Sequence, residues 1–358
     1  FTVLWENTMI KVKNGGFYMK KISVKEAVGC VLCHDITQII PGKIKDRAFK
    51  KGHIIREEDV PVLLSLGKDN IYIWEKKEGY LHENEAAERL KDLSAGDGLA
   101  FSEVKEGKIN FIANRDGILK IDKELLMELN LIDEIMFATR HNNMTVKKGE
   151  KVAGTRVIPL VIDEKKILEA EKLTKGKKIV SVKPYKKLKV GLIVTGNEVY
   201  YGRIKDAFSP VIEEKISKFN CDIIDKVILS DNPKIITETI ENYIDKGADI
   251  ILCTGGMSVD PDDTTPTAIK NTGGEIISYG APVLPGAMFL VAYKDDIPIL
   301  GLPGCVMYAK TTIFDLILPR VIAGERVTKR ELAAYGHGGF CAECEVCRYP
   351  NCSFGKGW

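Results

Sequence analysis

From residue 188 onward the chain alternates near-continuous apolar runs with amphipathic segments. Residues 189–194, 221–228, 249–253, 275–278 and 298–300 read as strands. The most apolar of these runs have the pattern of strands buried on both faces. Between and after them, residues 206–219, 233–246, 265–271 and 306–322 carry apolar positions at helical spacing. The alternation predicts an α/β fold over 188–325, a three-layer doubly wound parallel sheet. In that architecture ligands sit beyond the carboxyl ends of the strands. The loops to read are therefore those after Val194, Cys253 and Leu300.

The preceding half has another texture. Residues 19–163 read as a β-rich α+β region, with strands over 29–32, 70–74, 118–121, 134–139 and 157–162 and helices over 56–64 and 83–93. Glycines at 96, 98, 107, 117, 149 and 154 punctuate them. No cluster of catalytic residue types stands out there. Residues 164–187 read as a linker region: ten lysines fall in residues 165–189, the mark of a solvated helix, a connection and an edge strand. Residues 1–18 open without methionine and lack a signal-peptide pattern, and Met19-Lys20-Lys21 resembles a translation start. They are read as a non-native or disordered leader.

Composition narrows the function classes. The chain has 358 residues, 45% hydrophobic and 28% charged, enough for packed cores in two or three domains. Lysine and arginine total 52 against 50 acids, a formal net charge of +2. That balance makes no electrostatic case for nucleic acid or a membrane surface as the main partner. No apolar run approaches the ~18 residues of a membrane span. The histidines share no metal-ligand spacing. Nine cysteines are unusual, and four of them, Cys341, Cys344, Cys347 and Cys352, fall in the last eighteen residues. With no secretion pattern, a reducing cytoplasm is the expected compartment, and clustered thiols there read first as metal ligands.

The three loops carry the chemistry. They are Thr195-Gly196-Asn197-Glu198, then the run from Thr254-Gly255-Gly256-Met257-Ser258 through Asp260, Asp262 and Asp263 to Pro266, and Gly301-Leu302-Pro303-Gly304. Glycine permits close backbone approach to a ligand, and N–H groups near helix starts bind phosphate. No dinucleotide-type G-x-G-x-x-G follows a strand, and no P-loop is present. Carboxylates at Asp260, Asp262 and Asp263 beside such a loop would repel phosphate unless a cation, usually Mg²⁺, bridges them. Helix capping by Asp263 or Thr264 is the alternative role.

These elements resemble a known family. The run 254–266 is similar to the T-G-G-x-[GS]-x-x-P-x-D-x-T-P signature of the molybdopterin-binding domains of molybdenum cofactor biosynthesis proteins. Residues 195–198 resemble the family's T-G-[DN]-E element, 202–206 its G-x-I-x-[DN] element, and 302–304 its L-P-G loop. The N-terminal half resembles the molybdopterin molybdenumtransferase branch. Three features depart from that branch: Asn114-Arg115-Asp116-Gly117 stands where S-x-x-D-G-Y-A is usual, Cys305 follows the L-P-G loop, and the branch's C-terminal β-barrel is missing from this sequence.

The resemblance implies molybdopterin, or its AMP adduct, as ligand and molybdate as co-substrate. It implies insertion of molybdate with loss of the adenylyl group; the alternative is a non-catalytic cofactor carrier or insertion chaperone for a molybdoenzyme client. Asp263 is then the catalytic Mg²⁺ ligand, with Asp206 as a second catalytic candidate. Thr195, Gly196, Glu198, Thr254, Gly255, Gly256, Ser258, Asp260, Pro303 and Gly304 are candidate cofactor-binding residues. A homodimer is implied as well. The tail is separate from this resemblance: C-x2-C-x2-C-x4-C supplies four thiolates, sufficient for Zn²⁺ or an iron–sulfur cluster.

Overall fold

The computed structural model describes residues 19–40, 44–74, 79–258, 260–261 and 263–357. The expected leader, residues 1–18, and the site candidate Asp262 lie outside the described residues.

The second half is built on one six-stranded sheet: β1 (Lys189–Thr195), β2 (Asp222–Leu229), β3 (Ile250–Thr254), β4 (Glu275–Tyr279), β5 (Leu290–Lys294) and β6 (Ile297–Leu302), in the spatial order 2-1-3-6-5-4. β2, β1, β3 and β6 are parallel neighbours. Alternation along the strands makes three layers. Leu192, Val194, Ile250 and Leu252 enter one core with α1 (Phe208–Ser217) and α4 (Ile313–Ile322). Ile193, Ile251 and Cys253 enter the other with α2 (Pro233–Asp245) and α3 (Thr265–Asn271). Strands with both faces buried need apolar side chains at every position, which is why these runs lack polar interruptions.

Two details differ from the sequence expectation. The sheet is mixed, because β5 runs antiparallel to both β6 and β4. A tight turn at Asp295, in the left-handed region at φ +54°, joins β5 to β6. The expected helix over 306–322 is broken. A short 3-10 turn (Gly304–Met307) precedes it, and α4 starts afresh where the Thr312 hydroxyl caps the Phe314 N–H and Asp315 reaches back to the Thr312 N–H.

In the first half, a four-stranded antiparallel sheet orders Leu99–Phe101, Lys108–Ala113, Lys151–Val157 and Ile135–Thr139. Its core includes helices Glu83–Ser94 and Glu164–Thr174. The segment read as a linker, 164–187, contributes that second helix, which buries Ile167 and Ala170, and strand Val180–Pro184, which pairs with Gly117–Ile121. The expected strand over 157–162 is two strands separated at Pro159, which has no N–H to donate. Residues 29–32 make isolated bridges to Ile54 and Ile73 instead of a strand, after a turn at Gly29. Residues between 22 and 71 gather a separate small core around Leu32, Ile36 and Leu63. Among the described residues, no helix is long and apolar enough to cross a membrane.

A charged network ties the two halves together. Arg320 on α4 is 1% exposed. Its Nε donates to Glu325 at 2.9 Å and its Nη2 to Glu331. Glu325 also receives Lys120 of the first half at 2.7 Å. Burial alone would raise the Glu325 carboxyl, but hydrogen bonds from Lys120 and Arg320 outweigh it and hold the group below its usual range. A depressed carboxyl contributes stability above its unfolded pKa and loses it as pH falls through the folded one. Arg320→Ala removes the buried guanidinium from Glu325, which keeps Lys120, and from the more exposed Glu331, and is expected to cost about 1–3 kcal/mol, measured as a lower urea midpoint at neutral pH, with the difference shrinking on acidification.

Candidate functional site

The strand order places a crevice between the carboxyl ends of β1 and β3. The chain runs from β1 outward to β2, then returns to the other side of β1 to form β3. Connections leave in opposite directions there, opening the gap in which open α/β sheets hold ligands. Register sets Val194 beside Thr254, Thr254 beside Leu302 and Thr195 beside Leu229, so four loops emerge at one sheet edge.

Gly255 decides how close two of these loops come. It has φ +90°, and a Cβ there would lie 1.9 Å from the Thr195 carbonyl oxygen. Only glycine fits both the left-handed backbone and that approach. Thr265 braces the turn: its hydroxyl donates to the Gly255 carbonyl at 2.9 Å and lies 3.1 Å from the Thr195 hydroxyl. The Tyr279 hydroxyl, at the end of β4, donates to the carbonyls of Met257 and Ser258 at 2.9 and 3.1 Å. Ser258 and Asp260 are exposed on the loop, and the Asp263 N–H turns back onto the Asp260 carbonyl at 3.0 Å. Thr254 is fully buried and its hydroxyl has no hydrogen-bond partner among the described residues.

An acid that sequence reading overlooked completes the edge. Asp231 follows β2. Its Oδ2 accepts the Asn197 N–H at 2.8 Å, while Oδ1 is buried and, among the described residues, has no hydrogen bond of good geometry, with the Thr195 hydroxyl near the same carboxyl. Burial raises the Asp231 carboxyl, and the charges of Glu198 and Asp263 raise it further, against the Asn197 hydrogen bond. Asp231, after β2, thus lies in the field of two carboxylates from other loops, Glu198 after β1 and Asp263 after β3. Tyr279 belongs to the same field. Burial, then the Asp263 charge, raises its phenol.

Other candidates have local roles. Asp206 Oδ1 accepts the N–H groups of Phe208 and Ser209 at 2.8 and 3.0 Å, which caps the start of α1. Pro303 is buried at the end of β6. Gly304 is exposed, and a Cβ there would meet nothing within 4 Å. Among the described residues, no three His, Cys, Asp or Glu side chains form a ready cage for a metal ion. Hard carboxylate oxygens with an unsatisfied Oδ1 nevertheless suit Mg²⁺, which commonly takes one or two carboxylates and completes its shell with water and substrate phosphate.

The family model that covers this crevice matches a described domain. Residues 191–323 match the family model described as "Probable molybdopterin binding domain". The chain carries a molybdopterin-binding-family domain. Residues 21–75 match a second model, a domain of unknown function (DUF8806). Molybdopterin molybdenumtransferase of Haemophilus influenzae is 27% identical over 198 residues, 52% of this chain and 46% of that protein. Its Synechococcus elongatus counterpart is 25% identical over 149 residues, 39% of this chain and 37% of that protein. A CinA-like protein of Mycobacterium avium is 30% identical over 95 residues, 26% and 22% of the two chains. The matches span less than half the length of these relatives. Among solved structures, the molybdopterin biosynthesis enzyme MoaB of Thermus thermophilus is 19% identical, with TM-score 0.32 over 38% of this chain and 98% of that one.

Two predictions follow from the geometry of this edge. Gly255→Ala should destabilise the fold by about 3 kcal/mol or more through left-handed strain and overpacking, whereas Gly304→Ala should stay within about 0.5 kcal/mol of the parent; urea midpoints compare them. Asp231 has the opposite sign from Glu325. A carboxyl raised in the fold binds protons more readily there than in the unfolded chain, so stability falls as pH rises through its window. Asp231→Asn keeps an acceptor for the Asn197 N–H and should gain about 0.5–2 kcal/mol at neutral pH, a gain that shrinks as the pH is lowered toward the usual carboxylate range.

Proposed function

We propose that this chain binds adenylylated molybdopterin in the crevice between β1 and β3 and inserts molybdate with release of AMP. The observation that carries the reading is the convergence of Glu198, Asp231 and Asp263 on the edge where Gly255 and Thr195 meet. Similarity of the 191–323 domain to molybdopterin-binding domains, and the names of the two molybdenumtransferase relatives, support it.

In this reading the backbone N–H groups of Gly255 and Gly256, with the exposed Ser258 hydroxyl, receive phosphate oxygens from one side. Thr195 and Gly196 line the other side, and Pro303 forms a third wall. Asp263 and Asp231 would hold Mg²⁺, which would supply charge neutralisation to phosphate oxygens that the carboxylates alone would repel. Asp231, raised by burial and by the charges of Glu198 and Asp263, is the carboxyl that gains most from a cation arriving there. Asp206 supports the site indirectly by fixing the start of α1.

The test is AMP release from adenylylated molybdopterin by anaerobically purified full-length chain, with and without molybdate and Mg²⁺. Release that depends on molybdate and falls by about 10²–10⁴-fold in Asp263→Ala is expected. Tight pterin binding with no release by either protein would make the chain a carrier and overturn the transferase reading.

A further inference from the structure

The four tail cysteines take no part in that crevice, yet the fold gathers them. After α4 the chain forms a short helix (Lys329–Ala334) and then folds back across the domain. The Cys341 N–H donates to the Leu284 carbonyl at 2.8 Å, and the Gly355 N–H to the Gly338 carbonyl at 2.9 Å. Phe354 is 3% exposed and belongs to the core shared by β1, β3 and α4. The Tyr349 hydroxyl donates to the Asp315 carbonyl at 3.1 Å. Cys341 and Cys352 pack against this core, whereas Cys344 and Cys347 stand exposed on the loop between them. The tail is therefore an ordered strap with two anchored and two accessible thiols.

All four thiols line one cavity of about 410 Å³, whose other walls include Pro285, Tyr308, Ala309 and Phe354. A single Zn²⁺ draws four sulfurs to about 2.3 Å of one point and would leave little room between them. Among the described residues no three of the cysteines are already grouped to hold a metal ion, so ligation of any kind requires the accessible Cys344–Cys347 loop to shift toward Cys341 and Cys352. The four cysteines border one shared volume whose other walls mix apolar residues with Lys310, Thr311, Glu343 and Arg348, so that the thiols are the soft ligands available there. Cysteine-only ligation with two ligands fixed on the domain and two on an accessible loop matches the chemistry of iron–sulfur clusters, which are held by four thiolates.

We propose that Cys341, Cys344, Cys347 and Cys352 ligate a multi-atom iron–sulfur cluster seated in this cavity. The site is independent of the pterin crevice, since none of its ligands lies on the loops after β1, β2 or β3. Anchoring of Cys341 and Cys352 preorganises half the ligand set, and closure of the Cys344–Cys347 loop completes it.

The full-length chain, expressed with iron supplementation and purified without oxygen, tests this by iron, zinc and acid-labile sulfide analysis together with visible absorption. Iron and sulfide in comparable amounts, with a broad visible absorption bleached by dithionite, are expected. Both should fall to background in Cys344→Ser and in Cys347→Ser, whose exposed positions spare the core, and persist in Cys30→Ser outside the tail. Circular dichroism of each variant separates ligand loss from unfolding. Zinc without sulfide would overturn the cluster in favour of a single-ion site. Four titratable thiols or paired disulfides in metal-free native protein would overturn the site altogether, and neither result would bear on AMP release.

Discussion

The approach of the Gly255 backbone to the Thr195 carbonyl sets the geometry on which the site depends. Two parallel strands, β1 and β3, set Thr254 beside Val194, so that Gly255 follows level with Thr195. The chain then turns immediately, and a side chain at residue 255 would collide with its neighbour's backbone. Thr265 locks this contact from the start of α3 by bonding both loops. One threonine thus couples the position of a helix to the width of the crevice. Displacing it would move Gly256 and the acidic segment behind it together.

That geometry concentrates negative charge where the fold gains nothing from it. Asp231 has one buried oxygen without a well-formed hydrogen bond among the described residues, and Glu198 and Asp263 raise its carboxyl instead of relieving it. Several other buried or half-buried charges are paired: Arg320 with Glu325 and Glu331, Lys215 with Asp315 at 2.5 Å, Arg89 with Glu164 and Glu171. Those pairs are matched within the chain, whereas no ion pair among the described residues relieves Asp231. An unmatched acid held at the edge of a sheet is a reason to look for a cation or a proton supplied from outside.

The apolar runs of β1 and β3 are legible because a strand buried on both faces must be apolar at every position, and turn residues follow at once. The same rule, applied after the strand expected to end at residue 228, points to Asp231. It was obscured because Asn232 and Pro233 read as an ordinary helix start, and Asn232 does cap α2. Tyr279 is less accessible to such reading. Its hydroxyl reaches a loop some twenty residues earlier in sequence, a contact that exists only once β4 takes its place at the sheet edge. The lysine-rich stretch after residue 164 is a helix, a connection and an edge strand, as its charges suggest, but they do not show which core it joins. Its charges describe the solvent face of the helix, while Ile167 and Ala170 on the other face belong to the first domain's core.

The junction between the halves shows why the tail is part of the architecture and not an appendage. A cavity of about 790 Å³ lies where residues of the first half, α1, α4 and the tail meet. Two of its cations are paired within it, Arg140 with Glu150 at 2.5 Å and Lys215 with Asp315. Arg140 also donates to Asn351 of the tail at 3.3 Å, and Cys347, 3.4 Å from the Thr311 hydroxyl, borders both this cavity and the thiol-lined one. The strap is held from both sides, by Arg140 of the first half and by Asp315 and Leu284 of the second. Any change in the seating of the Cys344–Cys347 loop is therefore transmitted to the contact between the halves, through residues that touch neither the crevice nor its acids.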